Sequence, residues 1–205
     1  MDTETVELTG LTGGMGAGKS SVTRFLCRRF SVTCLHADVV VHELLEPGER
    51  CWQVIVDLDR AFVRPDQTID KPFLRQALFA DALLRQRINE GFHPIVRDTI
   101  LRKVHEENQS KGQKFFLIDV PLLYESGWQD MFRRVIVVYA GWEKCVERLM
   151  LRDNISAAEA ERSMAAQWPL REKTLLADHV VDNSGNWPDT CLQNIHLGNL
   201  LWQKK

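Results

Sequence analysis

The sequence predicts an α/β domain in which helices cover both faces of a parallel β-sheet, and three observations lead to this prediction. Short apolar runs recur along the chain, as in Phe115–Ile118 and Val135–Tyr139. Continuous apolar runs are typical of strands buried on both faces of a parallel sheet. Segments with helical spacing separate these runs. The third observation is a glycine-rich segment, residues 13–20, directly after the first run.

The glycine-rich segment reads GGMGAGKS and matches the phosphate-binding pattern G-x-x-x-x-G-K-[ST] at every fixed position. A possible buried strand, Val6–Leu11, precedes it and a helical segment follows. Backbone N–H groups in such a loop, with the helix N-terminus behind them, attract phosphate. Lys19 is expected to reach the β- and γ-phosphates and the Ser20 hydroxyl to ligate Mg²⁺. The predicted nucleotide-binding residues here are Gly14, Met15, Gly16, Ala17, Gly18, Lys19, Ser20 and Ser21.

This context predicts a three-layer P-loop NTPase fold. A chance glycine-rich turn is the alternative, and four glycines with a Lys-Ser pair argue against it. A dinucleotide fingerprint is excluded, because that register would require a glycine where Lys19 stands.

The composition limits the classes of protein to which this chain can belong. A chain of 205 residues suits one α/β domain with an insertion, and its net charge of −2 gives no support for nucleic-acid binding. No apolar run approaches the roughly 18 residues of a membrane span. The five scattered cysteines predict reduced thiols in a cytoplasmic protein, without a zinc site or disulfide framework.

The remaining elements follow in order. A second strand, Val32–Ala37, is expected to end at Asp38, and residues 39–108 to form several short helices separated by breaks such as His93-Pro94. We interpret this stretch as an insertion that holds a second substrate. The later elements are a third strand ending at Asp119, a fourth at Val135–Tyr139, a helix at Glu143–Asp153, a helix capped by Ser156, a strand at Val180–Asp182 and a final helix at Pro188–Trp202.

Two aspartates follow predicted strands, where ligands bind in open α/β sheets. Asp38 is a candidate to accept a proton from an acceptor hydroxyl or to orient it. Its alternative role is to cap the helix expected to begin at Val39. For Asp119, a magnesium-linked acid and a structural role in Asp119-Val120-Pro121 are equally favoured.

Arginines and one histidine are further candidates. Arg148 and Arg152 share a helix face, and they could close over phosphates together with Arg171 or could lie on a solvated face. The residues alone leave both interpretations open for these three arginines. For Arg162 they favour a position on a solvated helix face. His93 could contact a polar substrate, although a lone histidine is more often a packing residue.

Taken together, the chain resembles the dephospho-CoA kinases. The resemblance runs from about Val6 to beyond Gly185. Besides the P-loop it depends on these motifs: Ala37-Asp38, Leu74-Arg75, His93-Pro94-Ile95, the segment 119–125 (DVPLLYE), the segment 148–153 (RLMLRD), Gln167 with Arg171, and the segment 177–185 (ADHVVDNSG).

The resemblance implies ATP-dependent phosphorylation of the ribose 3′-hydroxyl of dephospho-CoA, with Mg²⁺ as cofactor. It implies a nucleotide-binding core (residues 1–38, 112–145 and 174–205), a helical CoA-substrate domain (39–111) and a lid (146–173). Asp38 would be the base, and Arg148, Arg152, Asn183 and Gly185 would border the phosphates and adenine. Arg75, His93, Leu123 and Arg171 would line the acceptor side.

Two other functions remain as alternatives. A small-molecule or nucleoside kinase with another acceptor would fit the same layout. A GTPase-like switch is weaker, because no N-K-x-D motif occurs in the sequence.

Overall fold

The computed structural model describes residues 6–203 and confirms the predicted fold class. Within this range the strands are β1 (Glu7–Gly13), β2 (Thr33–His36), β3 (Phe115–Asp119), β4 (Arg134–Tyr139) and β5 (His179–Asp182). They form one sheet in the order β2-β3-β1-β4-β5. β1 pairs in parallel with both β3 and β4, and β4 pairs in parallel with β5.

The helices of the described residues connect these strands. They are α1 (Lys19–Arg29), α2 (Ala37–Leu44), α3 (Arg50–Leu58), α4 (Lys71–Ala80), α5 (Ala82–Lys111), α6 (Trp142–Asp153), α7 (Ala157–Ala165), α8 (Leu170–Leu176) and α9 (Trp187–Trp202). Ser156 caps α7 in the predicted capping box, since its side chain and that of Glu159 each accept from the other residue's backbone N–H.

The chain divides into two compact units. The first comprises residues 1–35 and 108–205 as far as they are described, and the second comprises residues 36–107. In the first unit, apolar side chains of the sheet pack with those of α1 and α9, as in the group Leu11, Leu26, Ile136, Leu197 and Leu201. The second unit has its own core around Ile55, Phe62 and Leu74. Burial of such side chains is the main favourable term in the folding of each unit.

One prediction about the second unit is wrong. His93-Pro94 does not separate two helices, because Pro94 lies inside the 30-residue helix α5. A proline removes one backbone hydrogen bond and normally kinks or ends a helix. Here Ile88 before the proline and Val96 and Ile100 after it are all buried. Packing on both sides of Pro94 therefore offsets the lost bond and keeps the helix continuous.

The expectation of reduced thiols throughout also fails. The structure joins Cys27, in the last turns of α1, to Cys34 in β2, with 6.2 Å between their Cα atoms. The chain reverses direction between α1 and β2, which brings these two side chains together although they are seven positions apart in the sequence. The other three cysteines, at positions 51, 145 and 191, are free thiols.

Candidate active site

The glycine-rich segment forms a tight turn between β1 and α1. Gly16 and Gly18 have φ angles of 74° and 88°, in the left-handed region that disfavours other residues. A Cβ atom on Gly16 would lie 2.4 Å from the carbonyl oxygen of Cys145, so the loop packs directly on the backbone of α6. Gly18 is the N-cap of α1 and supplies no side-chain cap. The helix N-terminus therefore offers its backbone donors to an anion.

Lys19 forms an ion pair with Asp119. The Lys19 Nζ lies 2.5 Å from Asp119 Oδ1, and the two side chains are only 15% and 6% exposed. The sheet explains this contact, because Asp119 ends β3 in register with Leu11 of β1, just before the loop. Carboxylate and ammonium thus meet at the carboxyl edge of the parallel strands, where ligands bind in such folds.

Arg148 reaches the loop from α6. Its Nη2 donates to the carbonyl oxygen of Asn183 at 2.9 Å, and its Nη1 lies 3.4 Å from the carbonyl oxygens of both Gly16 and Ala17. Arg148 is half-buried. Of the two open interpretations for this arginine, the solvated helix face does not describe its position.

Asn183 holds the loop from the end of β5. Its side chain is 4% exposed, and its Nδ2 donates to the carbonyl oxygen of Ala17 at 2.8 Å. Its Oδ1 accepts from Thr190 Oγ1 at 3.0 Å. The amide therefore connects the P-loop to the first turn of α9, and both of its polar atoms have buried partners.

The segment between α7 and α8 lies beside the beginning of the loop. The Met15 N–H donates to Gln167 Oε1 at 3.3 Å. A cavity of about 190 Å³ is lined by Gly14, Met15, Gln167 and Arg171, among others. The structure thus brings Arg171 to the P-loop. Gln167 is absent from the predicted site residues, although its place in the Gln167–Arg171 motif was a signal for it.

Other predicted nucleotide-side residues make no such contact. The Nε and Nη2 atoms of Arg152 donate to the two carboxylate oxygens of Asp153, at 2.8 and 2.7 Å, and the Arg152 side chain is 63% exposed. The Asp153 carboxylate also raises the pKa of Arg152. Gly185 is exposed, and a Cβ atom placed there would meet nothing within 4 Å. A role for either residue in binding nucleotide remains a prediction.

Three predicted acceptor-side residues belong to the second unit. Asp38 is exposed at the second position of α2, whose N-cap is His36, so the alternative in which Asp38 caps a helix beginning at Val39 is wrong. The helix starts two residues earlier than predicted. Arg75 is exposed on α4, where it lines a groove with Lys71 and Gln76. His93 is half-buried in α5, and this burial lowers its pKa, which favours the neutral imidazole.

Leu123 does not fit its predicted role. It is completely buried, and a Cβ atom on Gly10 of β1 would lie 2.8 Å from its side chain. A side chain enclosed in this way offers no surface to a substrate. Direct contact is therefore corrected to a packing role, which holds the segment after β3 against β1.

Magnesium can be tested against these residues. Asp119 supplies a nearly buried carboxylate beside Lys19, and Ser20 supplies an exposed hydroxyl at the start of α1. Mg²⁺ prefers oxygen ligands and usually binds through one or two protein groups plus substrate phosphates. The donor set therefore fits a magnesium ion held jointly with a nucleotide. In residues 6–203 no group of three or more His, Cys, Asp or Glu side chains could hold a metal ion.

No helix within the described part of the chain is long and apolar enough to cross a membrane.

The loop between β1 and α1, with Asp119 at the end of the neighbouring strand, defines a P-loop nucleotide-binding protein. Comparisons with known proteins specify the family. The sequence profile of the CoaE dephospho-CoA kinase family matches residues 7–189. The chain belongs to the dephospho-CoA kinase family.

Individual proteins agree with this assignment. A dephospho-CoA kinase of Streptococcus pneumoniae strain R6 is 34% identical over 192 residues, which cover 93% of this chain and 94% of that protein. The crystal structure of TT1252 from Thermus thermophilus has a TM-score of 0.83 at 25% identity, with 98% of this chain and 100% of that chain covered. A dephospho-CoA kinase from Campylobacter jejuni shares the fold, with a TM-score of 0.65 at 22% identity over 93% and 94% of the two chains.

Proposed function

We propose that this protein transfers the γ-phosphoryl group of ATP to the ribose 3′-hydroxyl of dephospho-CoA and releases coenzyme A and ADP. The observation that carries the proposal is the P-loop with its Lys19–Asp119 pair, in a chain whose family match runs through most of its length. The acceptor oxygen attacks the γ-phosphorus, the bond to the β–γ bridging oxygen breaks, and the hydroxyl loses its proton.

The P-loop unit provides the donor half of this reaction. Phosphoryl transfer needs positioning and charge stabilisation more than covalent chemistry. The backbone donors at the start of α1 would hold the phosphates, and Lys19 would neutralise the β- and γ-phosphates. Arg148 and Arg171 offer guanidinium groups near the same loop, where they would stabilise charge on the transferred group. Arg152 and Gly185 would border the adenine, whereas the buried Asn183 would act by supporting the P-loop from behind.

Ser20 and Asp119 would hold a magnesium ion together with the phosphates. When bound, the ion would supply positive charge beside the phosphate oxygens. Asp119 would then have the metal as its partner, and Lys19 the phosphates.

The acceptor half is assigned to the second unit and the segment around α7. Asp38 would take the proton of the 3′-hydroxyl, since its carboxylate is exposed at the start of α2. Arg75 and a neutral His93 would contact the acceptor, helped by Arg171. In this proposal residues 39–111 bind dephospho-CoA, and residues 146–173 act as a lid that excludes water during transfer.

The decisive assay incubates the protein with ATP, Mg²⁺ and dephospho-CoA and follows coenzyme A and ADP. Lys19→Met should abolish turnover and weaken ATP binding, whereas Lys144→Met, which removes an exposed lysine of α6, should change neither. Asp38→Asn should lower kcat far more than ATP affinity. Turnover of a nucleoside acceptor with no coenzyme A formed would disprove the proposed acceptor.

A further inference from the structure

A second buried ion pair lies in the P-loop unit, away from the phosphate-binding residues. Lys173 of α8 is completely buried, and its Nζ lies 2.6 Å from Glu125 Oε1. Glu125 follows β3 in the segment 119–125, and its side chain is 17% exposed. Glu125 Oε2 and Lys173 Nζ are both buried and make no hydrogen bond, so opposite charge and close contact hold the pair together. Neither residue has a role in the reaction described so far.

Glu125 also binds the chain between α7 and α8. The N–H of Trp168 donates to Glu125 Oε1 at 3.2 Å, so this single oxygen contacts both Trp168 and Lys173. Gln167, the residue before Trp168, accepts from the N–H of Met15 in the P-loop. Arg171, two residues before Lys173, lines the cavity at Gly14 and Met15. The Glu125 carboxylate therefore anchors the five residues that carry both P-loop contacts.

We propose that Glu125 and Lys173 are positioning residues, which fix Gln167 and Arg171 in the orientation that phosphoryl transfer requires. The proposal rests on the proposed function, because it assigns these side chains to that reaction. Neither residue touches the reacting atoms in this proposal. They act through Gln167 and Arg171.

A buried charge pair can orient segment 167–171 in a way that an apolar contact cannot. Burying two charges is costly, and well-packed apolar residues in their place are often as stable or more stable. The hydrogen bond from the Trp168 N–H to Glu125 Oε1, however, sets distance and direction where apolar packing sets only proximity, and Lys173 supplies the opposite charge beside this carboxylate. Segment 167–171 has little regular structure to orient it, since α7 ends at Ala165 and α8 begins at Leu170. The ion pair supplies that orientation.

The central test compares two kinds of variant. Glu125→Gln keeps an oxygen for the Trp168 N–H but removes the charge, and we expect kcat to fall on the order of 10²-fold, the effect of small misplacements near a reacting centre. Affinity for ATP, measured by calorimetry, should change less than about twofold, a far smaller effect than on kcat. Replacing both residues by methionine should recover thermal stability relative to Glu125→Gln, while kcat stays low.

Further measurements keep the proposal testable if Glu125→Gln folds poorly. Glu125→Asp keeps the charge but shortens the side chain by one methylene, so the protein should fold and kcat should still fall. Amide hydrogen exchange without substrates should show faster exchange in residues 167–176 of each variant. Lys144→Met removes one partner of the exposed Lys144–Glu147 pair and serves as control, with wild-type kcat and exchange expected.

The outcomes separate this inference from the proposed function. A wild-type protein that does not phosphorylate dephospho-CoA would refute the proposed function, and exchange in residues 167–176 would still report whether the pair orders that segment. If the wild-type protein is active, two results would overturn the positioning role. One is a full kcat in Glu125→Asp. The other is a double methionine variant in which stability and kcat are restored in parallel. The pair would then stabilise the fold and do nothing more for the reaction.

Discussion

Asn183→Ala is the most informative single substitution for the P-loop, because one side chain supports the loop from behind. The Asn183 amide donates to the carbonyl oxygen of Ala17 at 2.8 Å and accepts from the Thr190 hydroxyl at 3.0 Å. All three residues are buried, Asn183 being 4% exposed, so water cannot easily replace the lost amide. We expect a less stable protein whose P-loop is also less well ordered.

The magnitude follows from two buried hydrogen bonds. Leaving a buried donor or acceptor unsatisfied costs about 1–3 kcal/mol. Each partner keeps a longer contact after the change: Thr190 Oγ1 lies 3.4 Å from the carbonyl oxygens of Asp182 and Asn186, and Arg148 Nη1 lies 3.4 Å from that of Ala17. The free energy of unfolding should therefore drop by about 1–2 kcal/mol. Because the loop is then held less firmly, the Kd for ATP should rise by about tenfold, which corresponds to about 1.4 kcal/mol.

Urea unfolding and calorimetric titration of ATP test this prediction. The urea midpoint should fall with an unchanged m-value, because the same surface is exposed on unfolding. Asn186→Ala is the matched control. Asn186 caps α9 by accepting from the Asp189 N–H, so its loss should cost about 1 kcal/mol and leave ATP affinity unchanged. If both variants weaken ATP binding equally, or if Asn183→Ala does not weaken it, the support from Asn183 is not what orders the loop.

Three further predictions concern other parts of the chain. Gly16→Ala should abolish ATP binding, because its Cβ would clash with the carbonyl oxygen of Cys145. Gly141→Ala, whose Cβ would meet nothing within 4 Å, should bind ATP like the wild type, and filter binding compares the two variants. Burial lowers the pKa of His93 in the folded protein. The stability that the neutral imidazole contributes is therefore fully present above the unfolded pKa of about 6.5 and is lost as the pH falls. In urea midpoints measured from about pH 7.5 to 5.5, His93→Gln should reduce this loss of stability. Burial also raises the pKa of the Cys145 thiol, which makes this thiol less reactive. Mass spectrometry after alkylation should therefore find the half-buried Cys191 modified before Cys145. Faster labelling of Cys145 would contradict its burial.

The fold could be predicted in large part because its signals are local. The apolar runs of β3 and β4 each become buried strands, and the capping box at Ser156 does start a helix. Prediction failed where packing between distant residues outweighed a local signal. Pro94 is a strong helix breaker, yet buried residues on both sides of it hold α5 together. The number of residues between Cys27 and Cys34 likewise says nothing about their contact in space.

The site shows the same division between local and distant signals. The P-loop motif carries its own geometry, so residues 13–20 could be assigned from the pattern alone. The roles of Arg148 and Arg152 could not be separated in this way, since both lie on one helix four residues apart. Only the structure shows that Arg148 contacts the loop, through the carbonyl oxygens of Gly16 and Ala17, while Arg152 pairs with its neighbour Asp153. The burial of Lys173 could not be predicted from the pattern, because a lysine is rarely buried completely and its partner Glu125 lies 48 positions away in the sequence.

The segment 119–125 takes part in two ion pairs of the P-loop unit. Asp119 at its beginning pairs with Lys19 of the P-loop, and Glu125 at its end pairs with Lys173 of α8. Between them, the buried Leu123 packs against β1 and holds this segment on the sheet. Phosphate binding alone requires only the first pair, which many P-loop proteins could share. The second pair ties the same short segment to the residues around Arg171, so the spacing of Asp119 and Glu125 couples the phosphate site to the part of the chain that we propose closes over it.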